Sequence, residues 1–248
     1  MKKRFKRITL IALLTFLAPG TGFLIYLRQG TDHLEDVRSG KLGYTAKAGW
    51  VNWGHARPES VRRFLWNLNA AHRRAAGNAF TISYSQSMSG QLAGLEITSS
   101  LARTYQVVGG LNPGELELVA LGIFREVSGA FEAMQGRFPN ALDARSQMSS
   151  FRNGDLMGDH IAFYRALRDY SENEIRGWLN ADSVSGSLLK FNESELKPNF
   201  SWEIAPELAG GFLDELRHEP AWFASRTAFL SECIIWVRFS IPSKARLP

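Results

Sequence analysis

Apolar residues recur along this chain with helical spacing in some stretches and strict alternation in others, and the clearest helical run lies between Asn112 and Gln135. Asn112 is a good N-cap, Pro113 suits the first helical position, and Glu115 stands where its carboxylate closes a capping box. Leu116, Ala120, Ile123, Phe124, Val127, Ala130, Phe131 and Met134 then share one broad apolar face that must be buried against something. The same period predicts a helix from Pro58 to about Arg74, with a stripe of Val61, Phe64, Leu65 and Leu68 that His72 continues. Another runs from about Gly154 to Arg168, capped by Asn153, with Leu156, His160, Phe163, Tyr164 and Leu167 on its buried side. Ser171 and Glu174 form a second capping box ahead of Ile175, Trp178 and Leu179.

Alternation marks the extended parts. Phe80, Ile82 and Tyr84 face one way against Thr81, Ser83 and Ser85, and a second extended stretch from Leu95 to Val108 completes a hairpin or small antiparallel sheet. Leu42 to Trp53, punctuated by glycine, reads as a short strand or an extended loop. Between 136 and 152 the pattern breaks into a long loop, and 182–198 reads as irregular. A helix is expected from Glu203 to Arg217 on the spacing of Ile204, Leu208, Phe212 and Leu216. Ala221 to Ile235 is apolar, but Arg226 and Glu232 inside it argue for a buried core element over a second membrane span.

The amino-terminal stretch changes the picture. Ile8 to Leu27 carries no charge over 20 residues and follows Lys2, Lys3, Arg4, Lys6 and Arg7, which is the pattern of a membrane anchor with its basic head in the cytoplasm. A cleaved signal peptide competes with it, but the small-x-small sequence Gly20-Thr21-Gly22 lies inside the apolar run. The chain is therefore expected to divide into a basic head and anchor at 1–28, a linker at 29–41 and a single extracytoplasmic domain at 42–248. The fold class expected is α+β, a mainly helical body with a small antiparallel sheet, preceded by an N-terminal transmembrane helix. Its place would be the inner membrane, single-pass, with the body facing the periplasm or cell exterior.

An apolar fraction of 45% with 21% charged residues is that of an ordinary folded protein. The leader's basic residues account for the whole formal net charge of +5, so the body offers no attraction to phosphate and no nucleic-acid partner is expected. Cys233 is the only cysteine, which excludes an internal disulfide and reads as a buried small hydrophobe.

No CxxC pair, HExxH, phosphate-binding glycine loop, calcium loop or GxSxG elbow occurs. Candidate chemistry therefore rests on isolated polar residues. His55, in the turn Gly54-His55-Ala56-Arg57, is a candidate metal ligand or general base, with Asn52 and Arg57 completing a polar cluster; an ordinary hydrogen-bonded loop histidine is the competing account. His160 sits in the middle of an apolar helical face, and Asp155 and Asp159, one turn apart beside it, are placed to hold a cation or to raise one carboxylate's pKa where a pocket covers them; a satisfied core histidine beside a polar helix rim is the competing account. Glu126 lies on the shoulder of the apolar face of the 112–135 helix, whereas Glu132 points about a third of a turn away; a glutamate so placed suits an interior salt bridge, to Arg57 or Arg152, and also a general base or metal ligand.

The segment Tyr44-Thr45-Ala46-Lys47-Ala48-Gly49-Trp50-Val51-Asn52-Trp53-Gly54-His55-Ala56-Arg57 resembles the opening signature of the bacterial DUF4056 family, a glycine-aromatic stretch followed by Gly-His-x-Arg. The similarity continues through the helix with Glu126 and Glu132, and at Ser149-Ser150-Phe151 followed by Asp155-Leu156, covering about the central half of the chain. The resemblance implies an exported or envelope-associated protein but supplies no activity. Where that family has a histidine-glutamate pair in its central helix, this chain has Phe131-Glu132, which puts in doubt a metal built on that histidine.

The leading functional expectation is a noncatalytic envelope-associated module that binds a polar ligand or envelope protein through Asn52, Ser149, Ser150, Asp155 and His160, with the membrane as a further partner. The alternative is a hydrolase on an envelope substrate, metal-dependent or not, in which His55, Glu126 and Arg57 carry the chemistry. Neither cofactor nor metal is identifiable from the sequence.

Overall fold

The computed structural model describes residues 32–92, 95–135, 154–192 and 220–240. In chain order the elements are α1 (Asp32–Arg38), β1 (Leu42–Thr45), β2 (Gly49–Asn52), α2 (Glu59–Ala75), β3 (Phe80–Leu92), β4 (Leu95–Val107), α3 (Pro113–Gln135), α4 (Asp155–Arg168), α5 (Glu172–Trp178), α6 (Val184–Lys190), α7 (Pro220–Arg226) and β5 (Thr227–Ser240). They make a mixed α+β fold with two antiparallel sheets, a hairpin of β1 and β2 and a three-stranded sheet ordered β3-β4-β5.

The larger sheet is organised by the alternation seen in the sequence. Phe80 pairs with Val107 and Ile82 with Tyr105, so the apolar side chains of β3 and β4 share one face, while Ser83 and Thr104 bond through their hydroxyls on the solvent side. Helices α2 and α3 cover the apolar face, and α4 packs on both helices. Phe64 meets Tyr84, Tyr84 meets Phe124, and Phe124 meets Phe163, an aromatic chain that ties α2, β3, α3 and α4 into one core. Both expected capping boxes are formed, Asn112 with Glu115 at α3 and Ser171 with Glu174 at α5. Within the stretch expected to be a linker, α1 packs on α6 and β1 and buries Val37.

Several expectations are corrected. A membrane span needs about 20 predominantly apolar residues. Among the described residues no helix is long and apolar enough to cross a membrane; α3 has the length but carries Glu115, Glu117, Arg125, Glu126 and Glu132. The expected anchor at 8–27 lies outside the described residues. The transmembrane helix, the membrane as partner, the single-pass inner-membrane placement and the periplasmic or exterior position of the body are accordingly not carried forward.

The apolar stretch from Ala221 to Ile235 is not one core element but nearly all of α7 and most of β5. Strand β5 joins the sheet through its backbone ladder to β4, so Phe229, Leu230 and Cys233 remain exposed although their residue types predict burial. Region 182–198 contains α6, started by the Ser183 hydroxyl accepting from the Gly186 amide. Asn153, Ser149, Ser150 and the helix expected at Glu203 to Arg217 lie outside the described residues.

Candidate metal centre

The centre is assembled where the turn after β2 meets α4. The Asn52 carbonyl accepts from the His55 amide at 3.1 Å, and the Asn52 side-chain oxygen accepts from the Gly54 amide at 2.9 Å, a tight turn that points His55 back toward the body. Helix α4 approaches this turn unusually closely. Its cap Gly154 has φ 92°, its carbonyl accepts from the Asn52 amide at 3.1 Å, and a Cβ there would lie 2.7 Å from the Trp50 carbonyl oxygen. One turn later Gly158 faces the Asn52 carbonyl with no room for a side chain. The residues following each glycine, Asp155 and Asp159, are thereby delivered to the imidazole.

His55 Nδ1 is 3.3 Å from Asp159 Oδ1, and His55 Nε2 is 3.9 Å from Asp155 Oδ1. Asp155 also accepts from the Asn52 side-chain amide at 2.8 Å. From α3 comes Glu132, and one ligand atom each of His55, Glu132 and Asp159 lie within 4.8 Å of one another. Glu132 is 1% exposed, Asp155 0% and Asp159 6%, whereas the His55 side chain keeps 29% of its surface in solvent and forms the open side of the cluster. Asp159 Oδ2 is buried and has no hydrogen-bond partner among the described residues.

Burial by itself disfavours a charged His55, but Asp155, the hydrogen bond to Asp159 and the charges of Asp159 and Glu132 outweigh it and push its pKa up to about 10. In the metal-free protein the imidazolium is thus the counter-ion of the carboxylates. His160 behaves oppositely. Burial, reinforced by repulsion from Arg125, brings it down to about 3, and its ring stacks on Tyr164 at 5.2 Å as a neutral core group. Tyr84 is pushed up to about 12, chiefly by burial and further by the charge of Asp159, against the pull of its hydrogen bonds with Gln86 and Ser60.

The donor set suits a divalent ion. Ligand atoms about 2.1 Å from a common ion lie about 3.4 Å apart in tetrahedral geometry, so the 3.3 Å between His55 Nδ1 and Asp159 Oδ1 already suits one ion, and Glu132, within 4.8 Å of its partners, would close by up to about 1.4 Å to join them. One imidazole with carboxylates is compatible with zinc, manganese or iron(II) and leaves further coordination positions for water or substrate.

Of the sequence candidates, His55, Asn52 and Asp155 meet in this centre. Arg57 is exposed. Glu126 is exposed too, and accepts from the Tyr105 hydroxyl at 2.8 Å. It stands six residues before Glu132, about 9 Å away along the helix axis. His160 follows Asp159 in α4 but belongs to the aromatic core. Sequence reasoning set Glu132 aside because it assumed that α3 buries one face. The helix buries residues around most of its circumference, including the polar set Ser128, Glu132 and Gln135. That polar stripe at i, i+4 and i+7 within an apolar helix was the available signal.

The molecule is thus a mixed α+β protein with a buried His/Glu/Asp cluster able to hold a metal ion. No protein-family model, curated protein or solved structure matches the chain. The expectation of a noncatalytic binding module rested on the lack of any complete polar constellation, and the convergence of His55, Glu132 and Asp159 overturns it.

Proposed function

We propose that this protein is a metal-dependent hydrolase whose ion is held by His55, Glu132 and Asp159. The observation that carries the reading is the convergence of those three ligand atoms within 4.8 Å, drawn from a turn and two helices far apart in sequence. Support comes from the buried Asp159 oxygen, which has no hydrogen-bond partner among the described residues, since leaving such a group unsatisfied is costly unless something occupies the site. A bound divalent ion would supply Lewis acidity and a water acidified toward neutral pH. The protein's own part is to fix the donors through the Gly154 and Gly158 contacts, to keep Tyr84 protonated beside Asp159, and to leave the His55 side open for entry.

The test has two stages. Metal content of the purified full chain is measured by mass spectrometry beside Asp159→Asn. About one equivalent of a transition metal in the wild type, lost in the folded variant, is the expected result. The loaded protein is then assayed on chromogenic phosphoesters, carboxylic esters and anilides, with turnover that a chelator abolishes and the metal restores. A wild type that neither retains nor binds zinc, manganese or iron(II) refutes the proposal.

A further inference from the structure

The two ring nitrogens of His55 face two different carboxylates, and the difference between those carboxylates assigns them different roles. Nδ1 faces Asp159, a member of the converging trio, at 3.3 Å. Nε2 faces Asp155 at 3.9 Å, and Asp155 is outside that trio although it is the most deeply buried acid of the cluster. Building on the metal-centre reading above, we propose that Asp155 is a positioning residue. It holds the Nε2–H of His55 and so presents the Nδ1 lone pair to the ion, with Asn52 fixing Asp155 in turn.

Hydrogen bonds fix Asn52 and Asp155, and Asp155 Oδ1 stands 3.9 Å from His55 Nε2, an ion-pair distance that must shorten to a hydrogen bond in the metal-bound protein. The Asn52 side-chain oxygen is committed to the Gly54 amide, which leaves the amide nitrogen as the group that donates to Asp155 Oδ1 at 2.8 Å. The backbone amide of Asn52 donates to the Gly154 carbonyl, so the residue is tied to the first turn of the helix that carries Asp155. A carboxylate held in that way beside Nε2 stabilises the tautomer protonated at Nε2, and the other nitrogen is then the one free to ligate. The arrangement is a carboxylate–histidine–metal relay in which removing the outer carboxylate weakens the ion's hold without deleting a ligand. Asn52 thereby acquires a function that its neighbourhood in sequence does not show, since its partner Asp155 lies 103 residues away.

The experiment uses the full chain loaded with zinc and labelled with 15N-histidine. Long-range proton–nitrogen NMR is expected to show zinc on Nδ1 of His55 and a proton on Nε2; zinc on Nε2 overturns the assignment. Zinc affinity is then compared by chelator competition in the wild type, Asp155→Asn and Glu132→Gln. A positioning role predicts a loss of about 10–100-fold in Asp155→Asn with zinc still on Nδ1, against near-complete loss in Glu132→Gln. A loss in Asp155→Asn as complete as in Glu132→Gln would make Asp155 a ligand, and an unchanged affinity would make it irrelevant to the ion; either result defeats the inference. If Asp155→Asn does not fold, Asn52→Ala carries the test, with a smaller loss in the same direction expected and an unchanged affinity counting against it. A wild type that binds neither zinc nor manganese nor iron(II) refutes the metal centre itself, an outcome distinct from all of these because each comparison begins from a loaded wild type.

Discussion

Gly158 on α4 and His55 in the turn after β2 touch almost backbone to backbone: a Cβ on Gly158 would stand 2.9 Å from the His55 Cβ and would also collide with the Asn52 carbonyl oxygen. The glycine therefore sets the distance between the imidazole and the two aspartates. Gly158→Ala is expected to push α4 away from the turn, lowering stability by about 1–3 kcal/mol, the usual cost of overpacking. Because Asp155 and Asp159 move with the helix, zinc affinity should fall as well. Urea unfolding of the metal-free protein and zinc competition on the same sample check both effects, and a variant with wild-type stability and affinity would contradict this view of the contact.

The two glutamates of α3 are expected to separate cleanly. Glu132→Gln should abolish zinc retention and any metal-dependent turnover. Glu126→Gln disturbs only an exposed carboxylate that accepts from Tyr105, so it should keep its metal and change stability by about 0.5–1.5 kcal/mol at most. Parallel metal analysis of the two folded variants decides the matter.

Without metal, stability should peak near pH 6.5, the ordinary histidine pKa, because His55 and His160 are shifted in opposite directions. The folded protein keeps the His55 proton up to about pH 10 while the unfolded chain releases it above about 6.5, so this contribution is complete below 6.5 and is lost as pH rises toward 10. His160 stays neutral in the fold down to about pH 3 while the unfolded chain takes up a proton below about 6.5, so its contribution is complete above 6.5 and is lost as pH falls toward 3. Urea unfolding at pH 5, 6.5 and 9 measures the profile. His55→Gln should flatten the alkaline limb selectively.

Metal and the His55 proton compete for one site, since Nδ1 must be free of its proton to ligate. Zinc binding at pH 8 is therefore expected to release about one proton from His55, which calorimetry in buffers of different ionisation enthalpy measures. Zinc held at 100 times its dissociation constant should add about 2.7 kcal/mol to the unfolding free energy, reversed by chelator and reduced by any binding to the unfolded chain. Asp159→Asn should remove most of that increment.

What the sequence determined by itself was local. The capping boxes of Asn112 with Glu115 and Ser171 with Glu174, the stripe of Val61, Phe64, Leu65 and Leu68, and the alternation from Phe80 to Tyr84 were all readable because each depends on residues within one or two turns or one strand. His55, Asn52 and Asp155 could be singled out by residue type and setting, but their meeting could not, for the chain returns to the turn only about a hundred residues later. Tertiary structure alone decided that α3 is enclosed on several sides and so buries Glu132, while Glu126 stays exposed at the edge of the core, where it accepts from the Tyr105 hydroxyl. It also decided that an apolar stretch becomes strand β5, whose backbone ladder holds Phe229 and Cys233 in solvent. Periodicity states which side of an element prefers apolar surroundings; which group stands opposite is settled by packing, and here by two glycines that let α4 come within reach of His55.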